Sequence, residues 1–248
     1  MKRLQHILLG FGLAALVGTP LLSQADSANG GDCAGLPSPS QLQSFLNAAP
    51  NTGGDAGGLF HGKRMWGAVV SRKGGVCAVV TSTSDPTQSW PGSQAIAKAK
   101  AYTANAFSLD ILPLSTARLY TFVQPGHSLY GLNQSNPFNP KFLVPPTGEG
   151  DGGSQLAGGI ITFGGGVPLY RNGKIVGGLG ISGDTACTDH EIAKRVRALA
   201  NLLPPGGSGV DDITYSSADG ASPFTHPLCP NTFRNGVFIG NEADAVGY

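Results

Sequence analysis

The chain has 248 residues, of which 38 are Gly and 18 are Pro, while only 12% are Asp, Glu, Lys or Arg. That is half the usual charge content, beside 40% apolar residues, so the composition excludes intrinsic disorder. The formal net charge of +1 comes without a basic block, so nothing neutralises nucleic-acid phosphates; a folded, glycine-laden globular protein remains.

The first residues read as a secretory signal. Lys2 and Arg3 form a positive start, Ile7 to Val17 an apolar middle, and Ser23-Gln24-Ala25 a small-x-small cleavage site, giving a signal peptide over 1–25. An uncleaved membrane anchor is the structural alternative. Cleavage after Ala25 removes Lys2 and Arg3 and no acidic residue, leaving a near-neutral exported protein, periplasmic or extracellular, with no membrane attachment.

Residues 26–37 form a flexible lead-in. Ser38-Pro39-Ser40 then opens a short helix with Leu42, Phe45 and Leu46 on one face. Met65 to Ser71 and Val76 to Ser82 are apolar runs around Lys73-Gly74-Gly75, which predicts a hairpin. Ser93 to Phe107 is an alanine-rich helix, and an alanine face lets a helix lie close to its sheet.

Residues 108–157 carry few periodic segments and many Pro, Gly, Asn and Ser. An insert that long inside a domain is usually functional or an interface. Gly164-Gly165-Gly166 precedes a strand rather than a helix, so it predicts a bulge or close backbone approach, not a phosphate cradle. Val167 to Tyr170 and Lys174 to Ile181 flank Asn172-Gly173, the dipeptide of a type I′ hairpin turn. Thr188-Asp189-His190-Glu191 reads as a capping box. Its helix is expected to bury Ile192, Val196, Leu199, Ala200 and Leu203 and to end at Pro204-Pro205, with Asp189, Glu191, Arg195 and Arg197 in harmony with the helix dipole. Residues 205–248 form a C-terminal extension. Hairpins interleaved with helices predict an α+β domain over 38–204, a mainly antiparallel sheet flanked by helices.

Four cysteines in an exported chain point to disulfides. Three pairings are open. Cys33–Cys77 with Cys187–Cys229 is favoured, because each bond then clips a terminal segment to the body. The spacings are too wide for a zinc cluster, and Cys187-x-x-His190 supplies two ligands at most. Ser182-Gly183-Asp184 with His190 holds the residue types of a hydrolase, but the G-x-S-x-G elbow that exposes a nucleophile is missing.

The run from Gly165 to Gly183 (Gly-Gly-Val-Pro-Leu, a short turn, then Ile175-Val176-Gly177-Gly178-Leu179-Gly180-Ile181-Ser182-Gly183), followed by Asp189 at a helix start, resembles the GlcG/HbpS-type haem-binding proteins. That family is related to the C-terminal domain of PduO. The hairpin from Trp66 to Val80 and Lys98-Ala99-Lys100-Ala101 agree in order, and the resemblance covers roughly 38–204 apart from the insert. It implies a profilin-like fold, frequent homo-oligomers and haem binding, with haem degradation or redox sensing in some members. Cys187 and His190 at the helix entry, the insert and the extension depart from the family pattern.

Haem needs an axial ligand and an apolar, partly aromatic wall. The histidines after the signal are His61, His127, His190 and His226. His127 lies near Phe122, Tyr130 and Phe138, offering ligand and wall together. His190 follows a helix cap, where the dipole favours the neutral, lone-pair-bearing imidazole. A disulfide would remove the thiolate of Cys229-Pro230. His127, Tyr130 and His190 are therefore the cofactor candidates, for haem or a related tetrapyrrole. No constellation supports catalysis. The alternative is a non-catalytic interaction or oligomerisation module built on the insert and extension.

Overall fold

The computed structural model describes residues 32–135 and 156–243. The expected signal peptide, the first part of the lead-in, Phe138 with the middle of the insert, and the last five residues lie outside them. Among the described residues no helix is long and apolar enough to cross a membrane.

The fold is α+β: a four-stranded antiparallel sheet with helices on both faces. Helix α1 (Pro39–Ala48) starts at Ser38, whose hydroxyl accepts the Gln41 N–H while Gln41 Oε1 accepts the Ser38 N–H. This capping box satisfies two otherwise orphaned donors. Strands β1 (Trp66–Ser71) and β2 (Val76–Thr81) form the first hairpin, α2 (Ser93–Phe107) follows, and β3 (Gly166–Arg171) and β4 (Lys174–Ser182) form the second. Asn172 (φ 50°) and Gly173 (φ 75°) both take the left-handed conformation that a type I′ turn requires. The sheet order is β2-β1-β4-β3, because β1 also pairs with β4.

Alternation along β1 sends Val69 to one core and Ala68 and Val70 to the other. On the first face α1 and α3 (Ala186–Leu199) cover Val69, Leu169, Leu179 and Ile181 with Leu42, Leu46, Ile192 and Val196. On the second, α2 lies on the sheet through Ala97 and Ala101. Beneath it β4 presents glycine: a Cβ at Gly178 would run into the Ala101 carbonyl oxygen, and one at Gly180 into that of Ala97. The glycine-rich strand and the alanine-rich helix are thus two halves of one close contact.

Helix α3 departs from the sequence expectation at both ends. Thr185, not Thr188, is its cap: the Thr185 backbone is extended and its hydroxyl accepts the Thr188 N–H at 3.3 Å. The helix also stops at Leu199, before the prolines, because Asn201 turns left-handed at φ 56°. Leu202 rather than Leu203 then enters the core, and Leu199 is left partly exposed.

The described part of the insert is less irregular than its composition implied. Short 3₁₀ turns at Thr116–Leu119 and Thr121–Val123 bury Ala117, Leu119 and Val123. The extension holds a one-turn helix α4 (Ser216–Asp219) and a hairpin of β5 (Thr232–Arg234) and β6 (Val237–Gly240). Disulfides join Cys33 to Cys77 and Cys187 to Cys229, with Cα–Cα separations of 5.5 and 5.9 Å. The second fastens the extension to the first turn of α3.

Candidate functional site

Two sets of polar and aromatic residues are candidates for the site, one inside and one outside. The inner set lies along α3. Six of its consecutive or near-consecutive polar residues, Asp189, His190, Glu191, Lys194, Arg195 and Arg197, are buried rather than solvated. All but His190 find hydrogen-bond partners far away in sequence. Arg197 makes a bidentate pair with Asp211, both nitrogens at 2.7 Å, and both side chains are fully buried. Lys194 meets Glu191 at 3.1 Å, Asp212 at 2.7 Å and Asn235 at 3.1 Å. Arg195 bonds Glu191 and the carbonyls of Ala49, Gly53, Gly54 and Asp55, tying the loop after α1 to α3.

At the start of α3, Lys100 from α2 reaches Asp189 at 2.6 Å and the Ile181 carbonyl at 3.1 Å. The other Asp189 oxygen accepts the Asp184 N–H at 2.9 Å. Burial pushes the Asp189 carboxyl up to about 6 and pulls Lys100 below its ordinary value, while their mutual attraction opposes both shifts. Gly165 passes over this pair so closely that a Cβ would strike Lys100 Nζ, and a Cβ on Gly164 would meet the Ala186 carbonyl and His190. The glycine run is a close backbone approach over a buried ion pair.

His190 is fully buried at this end. Its Nε2 stands 3.4 Å from Asp212 Oδ1, a close but poorly aligned contact, and among the described residues neither ring nitrogen completes a hydrogen bond. Burial raises the Asp212 carboxyl, but His190 and Lys194 outweigh it and hold the group far below the carboxylate range. His226, from the extension, is also buried. Its Nδ1–H donates to the Pro227 carbonyl at 2.7 Å, and its Nε2 accepts the Gly164 N–H at 3.3 Å. Burial pulls this imidazole down to about 4, so it is neutral at physiological pH. Tyr120 packs on it with ring centroids 5.0 Å apart.

The outer set is the turn from Gln124 to Tyr130. His127 and Tyr130 share it through the Tyr130 N–H to His127 carbonyl bond at 3.1 Å, and both side chains are exposed, Tyr130 by 68%. The turn rests on Phe122, whose carbonyl accepts the Leu129 N–H at 2.9 Å, and Phe122 in turn packs edge-on against Phe224. The structure brings His127 and Tyr130 together and places His190 in the interior instead.

Sequence reading missed Lys100, Asp211, Asp212 and His226 as members of a site. A signal existed: α3 carries too many charges and too few large apolar residues for one solvated face. A family model described as haem degrading protein, HbpS-like, matches residues 58–198.

The chain belongs to the HbpS-like family.

The corrinoid adenosyltransferase PduO of Salmonella typhimurium (strain LT2) is 36% identical over 110 residues, 44% of this chain and 25% of that protein. PduO of Citrobacter freundii is 32% identical over 133 residues, 51% of this chain and 32% of that protein. The chain thus spans a quarter to a third of the length of these curated relatives. Among solved structures, the PduOC:Heme complex is 25% identical with a TM-score of 0.47, covering 70% of this chain and 94% of that one. Klebsiella pneumoniae protein ORFY is 23% identical with a TM-score of 0.45, covering 66% and 88%. In this HbpS-like chain the family match contains β1 to β4, α2 and α3 almost entire, whereas Asp211, Asp212, His226 and Cys229 lie beyond it.

Proposed function

We propose that this is an exported, disulfide-stapled protein that binds haem or a related tetrapyrrole, with His127 as the axial ligand and Tyr130 and Leu129 as part of the wall. Membership in a family described by haem degradation supports the class of ligand. The disposition of the histidines supports the choice of His127. An axial ligand needs a free lone pair and an open approach. Among the described residues, His190 has no exposed surface, both nitrogens of His226 are engaged, and every cysteine is in a disulfide; exposed His61 has its Nδ1 on Asp55 at 2.8 Å and only Nε2 open. His127 is exposed, and its ring makes no polar contact among those residues. Bound haem would supply an iron centre for electron or oxygen chemistry; the chain supplies ligand, wall and orientation.

Hemin titration of the purified protein should give a saturable Soret shift with one site per chain, weakened in His127→Ala. A non-saturable spectrum, or a shift unchanged in His127→Ala, counts against the assignment. Export is supported by the two disulfides. Homo-oligomerisation is part of the same reading, carried by the exposed turn Leu109-Asp110-Ile111-Leu112, in which Ile111 is 92% exposed. Light scattering of Ile111→Asp tests it: a monomer in both forms refutes it.

A further inference from the structure

The Cys187–Cys229 disulfide has a buried imidazole beside it. One ring nitrogen of His226 and the two sulfurs all lie within 4.8 Å of one another, and all three residues are buried. We propose that reduction of this disulfide creates a zinc site, with Cys187, Cys229 and His226 as its three protein ligands and solvent in the fourth position.

The chemistry balances in two steps. A dithiol reductant gives up two electrons and two protons and becomes a disulfide; the Cys187–Cys229 bond breaks to two thiols. Zinc then displaces both thiol protons to form two Zn–S bonds, and the His226 imidazole exchanges one of its two hydrogen bonds for a bond to the ion.

The surroundings favour each step. The Cys187 N–H, in the first turn of α3, already donates to Cys229 Sγ at 3.1 Å. After reduction that donor and the positive end of a 14-residue helix would stabilise a thiolate there. The His226 ring is oriented by its bonds to the Pro227 carbonyl and from the Gly164 N–H, one of which must yield to the ion. Two cysteine α-carbons 5.9 Å apart suit two sulfurs on one tetrahedral ion, which stand about 3.8 Å apart. Two thiolates and an imidazole form a donor set that zinc prefers to magnesium or calcium. A cleft also reaches the histidine. His226, Pro227 and Leu228 line a cleft of about 400 Å³ together with Tyr215, Thr225 and Glu242. The other disulfide, Cys33–Cys77, belongs to no such cluster among the described residues. The ion would replace the disulfide as the clip between α3 and the extension.

Cobalt(II) is the probe, because its thiolate complexes absorb where the protein does not. The protein is reduced anaerobically with a phosphine and titrated with cobalt, then with zinc. Reduced protein should bind one cobalt per chain with a sulfur-to-cobalt charge-transfer band that zinc abolishes, and oxidised protein should show none. His226→Gln should weaken cobalt binding about tenfold or more, and Cys187→Ser/Cys229→Ser should lose the band. As a readout that needs no substitution, zinc should restore protease resistance of the extension after reduction. The proposal is overturned if the reduced protein gives no band, if the band survives in the double variant, or if the reduced chain unfolds and zinc does not restore it. Hemin binding by the oxidised protein is a separate measurement, so failure of one reading leaves the other standing.

Discussion

Helices α2 and α3 are nearly equal in length, 15 and 14 residues, and cover opposite faces of one sheet by opposite means. Helix α2 does it by absence of side chains: alanine on the helix and glycine on β4 bring two backbones together, and dispersion over a close surface does the rest. Helix α3 has two sides of different chemistry. Ile192 and Val196 face the sheet, while its polar residues beyond Asp189, which pairs with Lys100 of α2, are buried by the loop after α1 and by the extension. Its charges therefore depend on covering elements outside the sheet. Tolerance to mutation should differ accordingly: apart from its buried Lys98 and Lys100, α2 should fail on added volume, whereas α3 should fail on loss of charge.

The largest effect is expected from the buried pair on α3. Asp211→Asn leaves Arg197 charged and fully enclosed, which should cost about 3–5 kcal/mol in urea unfolding. Replacing both partners by apolar residues, Arg197→Met with Asp211→Leu, should recover much of that loss, because no uncompensated charge remains. A double variant as unstable as the single one would mean that Arg197 matters chiefly through its bond to the Pro168 carbonyl of β3.

Next comes the volume test on the other face. Gly180→Ala places a methyl against the Ala97 carbonyl and should cost about 1–3 kcal/mol or more, since backbone must move. Gly92→Ala, at an open position with a negative φ, is the control and should be near neutral. Equal effects at the two positions would refute the close-contact account of α2.

A smaller, pH-dependent difference follows from Asp212. Its folded pKa lies below the free value of 3.8, so the folded state binds fewer protons than the unfolded one in that range. The stability it contributes is present above about pH 4 and is lost as pH falls below it. Asp212→Asn should therefore flatten the acid limb of a stability curve while lowering the plateau. An unchanged acid limb would show that the other buried carboxylates dominate acid unfolding.

Much of this comparison was written locally. Ala97 and Ala101 recur at helical spacing, Gly178 and Gly180 alternate on β4, and the Asn172-Gly173 turn fixes its hairpin, so the α2 face follows from short-range pattern. The α3 face does not. Beyond the local pairs of Glu191 with Lys194 and Arg195, its ion pairs join residues 14 to 89 positions apart, and periodicity reads an isolated Arg or Asp as a solvated group. The cap was misplaced for a related reason: Thr185 and Thr188 both have a hydroxyl suited to capping, and the choice rests on where Gly183 releases the strand. The β5–β6 hairpin was legible and overlooked, since Asn235-Gly236 repeats the dipeptide of the β3–β4 turn, with both residues left-handed.

The smallest expected change in stability is at His127, and there the comparison reaches function. His190 and His226 are enclosed by the covering elements of α3, so substituting either disturbs packing, and a lost activity would be ambiguous. His127 belongs to neither face. On an exposed turn without polar partners among the described residues, His127→Ala should change unfolding free energy by less than about 0.5 kcal/mol. If the tetrapyrrole sits on that turn, the same substitution should weaken hemin binding by at least about tenfold, roughly 1.4 kcal/mol. Tyr130→Ala, removing wall but not ligand, should weaken binding less and leave the ligand-field bands in place. Should His127→Ala bind hemin normally while His190→Gln does not, the ligand site lies inside. The cover over α3 would then have to open for haem, and residues 206–243 would be a lid rather than a clamp.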